Sequence, residues 1–281
     1  MGQDKIKSHA KLNLALNIIG KKSSLHKIET IVVFVSLHDE IFIEKINSNK
    51  HMISFTGKFS RNIGKNNTVS KLLNILDKKK LLNNKKFKVK IKKKIPSKSG
   101  LGGGSMNASN ILNYFVKKKI IKISKKEVIK ISKLVGSDVI LGLNQTNSVL
   151  SKNNEVKRFN NCKKFYSLIV KPHFGCSTRE IYSKVKNFNK PKFSIPKSKM
   201  FNLDYLKKME NSLEPIALTK YRRLRGIKSF LENFSEPSFV RMTGSGSALV
   251  AYFQSKYRCE IAKKMFHKKY KNYWCMLSKT I

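Results

Sequence analysis

Residues 96–109, P-S-K-S-G-L-G-G-G-S-M-N-A-S, constrain this chain more than any other stretch. Ahead of them Phe87, Val89 and Ile91 alternate with lysines, the period of a half-buried strand. Behind them Ala108, Ile111, Leu112, Phe115 and Val116 recur at helical spacing. A strand therefore runs into a glycine loop that opens a helix. Gly100, Gly102, Gly103 and Gly104 let the backbone come close to a ligand and take positive φ without a side-chain clash. The N–H groups of the helix's first turn, at the positive end of its dipole, favour an anion such as phosphate. Ser105 and Asn107 add a hydroxyl and an amide that can reach phosphate oxygens or a hydrated magnesium ion. The loop matches neither of the best-known phosphate loops, because no Gly-Lys-Ser/Thr occurs and a dinucleotide loop wants an acidic residue after a following strand. A flexible linker or an ordinary helix start is the alternative. The strand before and the helix after favour a phosphate site.

A chain of 281 residues can bury a sizeable core, as one large or two modest domains. It has no apolar run near 18 residues, so no membrane-spanning helix is expected. The N-terminus lacks the apolar core of a signal peptide, which points to the cytoplasm. Cys162, Cys176, Cys259 and Cys275 are scattered, with neither a CxxC pair nor a zinc spacing, and read as buried or idle thiols.

The net charge of +44 suggests nucleic acid or an anionic membrane surface. Yet the lysines fall in strands, helices and loops alike, often beside asparagine and isoleucine, residues that share A/T-rich codons. Genome composition accounts for such a spread with no partner implied, although a diffuse positive field still draws in anionic substrates.

Along the chain, a strand is expected over about 5–19, with Leu12, Leu14, Leu16 and Ile18 on one face and Lys11, Asn13, Ala15 and Asn17 on the other. Lysines on an open strand face usually meet solvent, so Lys11 alone signals little. Residues 20–27 read as a turn, with His26 shortly before the apolar run 31–35 and another strand at 41–46. A polar connection leads to Asn67, and Val69, Leu72, Leu73 and Leu76 mark a helix. Ser124 and Glu127 make a capping-box pattern for a helix that Gly136 ends. Asp138, one of five aspartates, stands before an apolar run and reads either as a helix N-cap or as a catalytic group. A polar stretch at 151–161 marks the domain boundary. Beyond it come a strand at 165–170, a proline-bearing loop at 184–199, helices at about 204–218 and 221–234, and strands at 239–242 and 248–253 around T-G-S-G-S. A helix at 256–268 and a strand at 273–277 close the chain, and the mixture suggests α+β layers.

Three stretches in this order are far more specific together than apart: A-K-L-N-L from Ala10, P-x-x-x-G-L-G-G-G-S from Pro96, and T-G-S-G-S from Thr243. On these the chain resembles the GHMP family of small-molecule kinases, and His26 with N-x-L-E from Asn211 favours the branch acting on a cytidine diphosphate ester of methylerythritol. The resemblance covers nearly the whole chain. It implies an α+β, two-domain fold, residues 1–155 carrying the ATP-binding glycine loop and 156–281 forming the second domain, with the active site in the cleft between. The implied reaction moves the γ-phosphate of ATP to the 2-hydroxyl of the methylerythritol moiety, in non-mevalonate isoprenoid biosynthesis. Lys11 and Asp138 match the family's catalytic pair. ATP is implied at Pro96, Gly100, Leu101, Gly102, Gly103, Gly104, Ser105 and Asn107, with Asn67 and Lys93 near the nucleotide. The small-molecule substrate is implied at Asn13, His26, Thr178, Tyr182, Gly244, Ser245 and Gly246. Mg²⁺ bridges phosphate oxygens in this reading, with no dedicated protein ligands and Ser105 as the candidate contact.

The chain departs from the family pattern at four places. Leu25 stands where an aromatic residue usually stacks on cytosine, Met106 replaces a small polar residue, Ser212 replaces an aspartate, and Lys98 intrudes into the loop. Other readings are a GHMP kinase for mevalonate, phosphomevalonate or homoserine, and a basic nucleic-acid-binding protein without catalysis. A-K-L-N-L with His26 argues against the first, and the lack of aromatics interleaved with the lysines argues against the second.

Overall fold

The computed structural model describes every residue except Met1, Ser24, Asn62, Asn161, Ser235 and Glu236. Ser24 of the expected turn and Asn161 of the expected polar boundary therefore lie outside the described residues. The early elements are β1 (Asp4–Lys22), β2 (Leu25–Ile46), β3 (Met52–Thr56), α1 (Thr68–Lys78), β4 (Lys86–Lys92), α2 (Gly103–Lys117), α3 (Lys125–Val135) and α4 (Val139–Gly142). The later ones are β5 (Asn147–Leu150), β6 (Val156–Phe159), β7 (Tyr166–Lys171), α5 (Thr178–Ser183), α6 (Leu203–Lys207), α7 (Glu214–Lys220), α8 (Arg222–Glu232), β8 (Phe239–Met242), β9 (Leu249–Phe253), α9 (Lys256–Lys269) and β10 (Trp274–Lys279).

Packing divides the chain into two units that interleave along the sequence. The first comprises Met1–Ala10, Leu37–Ser97 and Gly102–Gln145, and the second Lys11–Ser36, Lys98–Leu101 and Thr146–Ile281. The boundary expected after residue 155 falls inside the second unit. Even the glycine loop is divided, Lys98–Leu101 packing with the second unit and Gly102 onward with the first.

In the first unit, residues 40–46 of β2 pair antiparallel with β4, which pairs parallel with β3. The alternation of β4 puts Phe87, Val89 and Ile91 inward and its lysines outward. Onto that apolar face pack Val69, Leu72, Leu73 and Leu76 of α1, Ala108, Ile111, Leu112 and Phe115 of α2, and Ile131 and Val135 of α3. Each helix thus buries the stripe its 3.6-residue period predicts.

In the second unit, β10, β7, β9 and β8 form an antiparallel sheet in that order. Leu168, Val170, Leu249, Ala251 and Phe253 meet Leu224, Ile227 and Leu231 of α8 and Cys259, Ala262 and Phe266 of α9 in one core. Residues 30–32 of β2 pair with β5, and β5 with β6. The four cysteines are thiols, Cys176 and Cys259 buried, and burial pushes Cys176 up to about 11 and Cys259 up to about 12.

Three expectations meet a different outcome. The apolar run 31–35 and the strand 41–46 are one strand, because Leu37 and Asp39 continue the inward parity across the polar-looking S-L-H-D-E. The expected turn at 20–27 is strand at both ends, with Ser23 in the left-handed region at φ 54°. The helix expected at 204–218 is broken between α6 and α7, where Asn211 bridges back to Leu16 of β1.

Candidate active site

Within the first unit, the two helix starts near the glycine loop differ in one respect. α1 begins on Asn67, whose side-chain oxygen accepts from the N–H of Val69 and of Ser70, both at 3.0 Å, so its first turn is already satisfied. α2 begins on Gly102 in the left-handed conformation, φ 71°, and no side chain caps it among the described residues. α3, α5 and α9 each start with a serine that accepts a first-turn N–H. The glycine start of α2 thus leaves its first-turn N–H groups without a side-chain cap, an arrangement that could receive an anion. The hydroxyl of Thr68 donates to the carbonyl of Gly104 at 2.8 Å, fastening the start of α1 to that first turn. Asn67 therefore has a capping role that the sequence reading missed, and its side-chain N–H groups go to the carbonyls of Gly64 and Lys65.

Lys93 leaves β4 buried, at 5% exposure, and its ammonium pairs with the carboxylate of Asp39. That ammonium lies 3.2 Å from where a Cβ on Gly103 would sit, under the first turn of α2. Asn107 is buried on α2. It donates to Asp39 at 3.0 Å, and its Oδ1 has no hydrogen-bond partner among the described residues. The half-buried Ser105 hydroxyl is a hard oxygen donor, the chemistry a magnesium ion takes. Pro96 is buried at the loop's entry, and Gly104 is exposed. Met106 is in the core, its sulfur 2.8 Å from where a Cβ on Gly142 would sit, which explains a hydrophobe at that position.

Asp138 stands at the start of the four-residue α4, and its side chain makes no capping bond. Of the two readings open in the sequence, N-cap and catalytic group, the capping bond is not there.

Within the second unit, Lys11 is 3% exposed, so the strand face read as polar and open is buried. Both faces of β1 are covered from Ala10 to Ile18. Desolvating an ammonium costs several kcal/mol unless polar groups receive it, and Asn13 does so, its Oδ1 accepting from Lys11 Nζ at 2.5 Å. Asn13 in turn donates to Thr30 Oγ1 at 2.8 Å, and that hydroxyl to the carbonyl of Ala15 at 2.6 Å. The backbone N–H of Asn13 donates to Thr243 Oγ1 at 3.0 Å, so the lysine strand is fixed to the T-G-S-G-S turn. The Asn13 amide is thus largely committed to orienting Lys11.

The first part of the glycine loop is laced to the same turn. The backbone N–H of Ser247 donates to the Lys98 carbonyl at 3.3 Å and that of Ala248 to the Ser99 carbonyl at 3.1 Å, while the backbone N–H of Lys11 on β1 donates to the Leu101 carbonyl at 3.1 Å. Gly100 has φ +75°, and a Cβ there would lie 1.9 Å from the carbonyl oxygen of Thr243. Gly244, at φ +54°, faces Gly100 in return, and Gly246, at φ +80°, packs on Met242 and Cys176. The two glycine motifs are 143 residues apart in sequence yet built to touch. Asn211 locks the turn by donating to the carbonyls of Met242 and Gly244, both at 2.8 Å. Lys98 has φ 50° and an exposed side chain whose stem packs on Gly175.

Also in this unit, Thr178 and Ser245 share a hydroxyl contact at 2.9 Å. The ring of Tyr182, on α5, lies 5.1 Å from that of His26, and Phe188 lies 6.3 Å from it. Leu25 is 73% exposed. Glu29, fully buried on β2, accepts from Asn17 at 3.1 Å and from the N–H groups of Lys192 at 2.8 Å and Phe193 at 3.1 Å, pinning the proline-bearing loop. Neither Glu29 nor Asp39 was singled out from sequence; each is a carboxylate at an inward strand position, and that parity is the signal that marks them. Among the described residues no group of three or more His, Cys, Asp or Glu gathers.

The family of the GHMP kinases N terminal domain matches residues 67–152, the span from α1's cap to just beyond β5. The 4-diphosphocytidyl-2-C-methyl-D-erythritol kinase of Pelagibacter ubique is 54% identical over 281 residues, covering 100% of both chains. The chain belongs to the 4-diphosphocytidyl-2-C-methyl-D-erythritol kinase family, within the GHMP kinases. A solved structure of a 4-(cytidine 5'-diphospho)-2C-methyl-D-erythritol kinase superposes with a TM-score of 0.78 at 19% identity, covering 99% of this chain and 100% of that one. A homoserine kinase from Cytophaga hutchinsonii reaches a TM-score of 0.74 at 14% identity, covering 100% and 95%. At such identities the likeness is one of fold. Whole-chain sequence identity is what separates this branch of the GHMP kinases from its neighbours. No helix among the described residues of this family member is long and apolar enough to cross a membrane.

Proposed function

We propose that this GHMP kinase transfers the γ-phosphate of ATP to the 2-hydroxyl of 4-diphosphocytidyl-2-C-methyl-D-erythritol, releasing ADP, in the non-mevalonate route to isoprenoid precursors in the cytoplasm. The observation that carries the reading is the whole-chain identity to a kinase of that name. The geometry supplies what such a transfer needs, since phosphoryl transfer asks for positioning and charge neutralisation more than covalent work. The uncapped glycine start of α2 suits the ATP phosphates. Asp138, not engaged in capping, takes or orients the proton of the attacking hydroxyl. Lys11, buried and aimed by Asn13, stabilises negative charge on the group in transfer. Ser105 would be the protein contact of a Mg²⁺ arriving with the nucleotide, an ion that would supply further charge neutralisation. Thr178, Tyr182, Ser245 and the glycines Gly244 and Gly246 line the acceptor side.

The acceptor is tested by ADP release with a panel. Turnover is expected with the cytidine diphosphate ester and not with mevalonate, phosphomevalonate or homoserine. Equal or faster turnover on one of those three overturns the assignment. ATP turnover unaffected by added nucleic acid is expected too, because the lysines are spread over both units.

His26 carries the base-recognition part. Burial, and then the nearby charge of Lys21, lower its pKa below the ordinary histidine value of 6.5. The ring is therefore neutral at pH 7, offering one donor and one acceptor to cytosine. For a histidine with a depressed folded pKa, the unfolded chain binds more protons between the two pKa values. Its contribution to stability therefore rises with pH through that window and is lost as pH falls. A flat KM for the cytidine substrate above pH 7 is expected, rising on acidification with a midpoint below 6.5. A KM that improves as His26 protonates contradicts this.

A further inference from the structure

We infer that Asp39 is a positioning residue for the nucleotide, setting the geometry of the glycine-loop helix through Asn107 and Lys93. The carboxylate is fully buried and is met from two other stretches of the first unit, 93–95 and Asn107. Lys93 Nζ pairs with it, the backbone N–H groups of Lys94 and Ile95 donate to its Oδ1 at 2.7 and 2.9 Å, and Asn107 Nδ2 donates to its Oδ2 at 3.0 Å. Asp39 thereby ties β2 to the chain just before Pro96 and to α2 just after the glycines.

Stability alone does not call for this arrangement, because well-packed apolar residues usually replace a buried ion pair without loss. What the carboxylate does that a leucine does not is orient. It holds the Lys93 ammonium under Gly103, neutralising a cation that otherwise opposes the helix dipole. It also fixes the rotation of the Asn107 amide, because a carboxylate accepts only from Nδ2, and so turns Oδ1, a buried oxygen without a partner among the described residues, away from it. The amide so held fastens α2 to β2, and with it the first turn that follows the glycines. The inference rests on the reading that ATP binds this loop.

The test measures KM for MgATP, KM for the acceptor, kcat and Tm for wild type, Asp39→Asn, Asn107→Leu and the double variant. Asp39→Asn is expected to raise the MgATP KM about tenfold or more, with the acceptor KM within twofold. In the double variant the rise in MgATP KM is expected to fall well short of the product of the two single effects, since part of what Asp39 does passes through that amide. A purely structural role predicts additive losses, or an equal rise in both KM values that follows Tm, and either overturns the inference. Should Asp39→Asn not fold, Asp39→Leu with Lys93→Met removes both buried charges together and supplies a folded background for the same cycle with Asn107→Leu. A wild-type chain that releases no ADP overturns the nucleotide reading itself, and the role of Asp39 with it.

Discussion

Asp138→Asn is expected to lower kcat by about 10²–10⁴-fold, the range general-base catalysis spans, while leaving Tm within a degree or two. The two residues have nearly the same shape, so a loss of turnover in a folded chain isolates the proton-accepting carboxylate. The structure supports the separation, because Asp138 opens α4 without capping it and a capping loss of about 1 kcal/mol is not at stake. A kcat within fivefold of wild type removes Asp138 from the chemistry and leaves the family assignment standing.

Gly100→Ala is the second large effect. An alanine at φ +75° costs about 1–2 kcal/mol for the left-handed backbone. Its Cβ would also stand 1.9 Å from the Thr243 carbonyl oxygen, a backbone atom that cannot swing away. Overpacking of this kind adds about 1–3 kcal/mol. A total near 3 kcal/mol corresponds to a fall in Tm of about 6 °C, with ATP-dependent turnover falling alongside as the loop and turn separate. Gly226→Ala is the control. Gly226 sits within α8 with nothing inside 4 Å of its added Cβ, so the change is expected to be neutral or to stabilise by up to about 1 kcal/mol. Equal behaviour of the two variants contradicts the close approach assigned to Gly100.

Much of the fold was legible because periodicity and capping are local. The apolar spacing over 69–76 and 108–116, Ser124 before α3 and Gly136 after it follow from residues within a turn or two of one another. What was not legible depends on what lies across from a residue. Lys11 reads as solvent-facing while β1 is assumed to have one wet face, and it is buried because both faces are covered. β2 reads as two pieces because S-L-H-D-E looks like a connection, until Asp39 is recognised as an inward residue whose partners come from 93–95 and 107. Asn67 also caps α1, a task that its place in the sequence does not announce. The contact of Gly100 with Thr243 carries no local signature beyond the glycines themselves, and nothing in the spacing of Asn211 announces that it holds the carbonyls of Met242 and Gly244.

The central claim is phosphoryl transfer from ATP to one hydroxyl of the cytidine diphosphate ester. Its most direct measurement is the phosphorus-31 spectrum of the reaction mixture, followed by the mass of the isolated product. The account predicts one new phosphomonoester signal beside an intact diphosphate, a mass gain of one phosphoryl group per ADP formed, and attachment at the 2-hydroxyl. ADP appearing with inorganic phosphate and an unchanged ester, or a phosphoryl group on another acceptor from the panel, would contradict it.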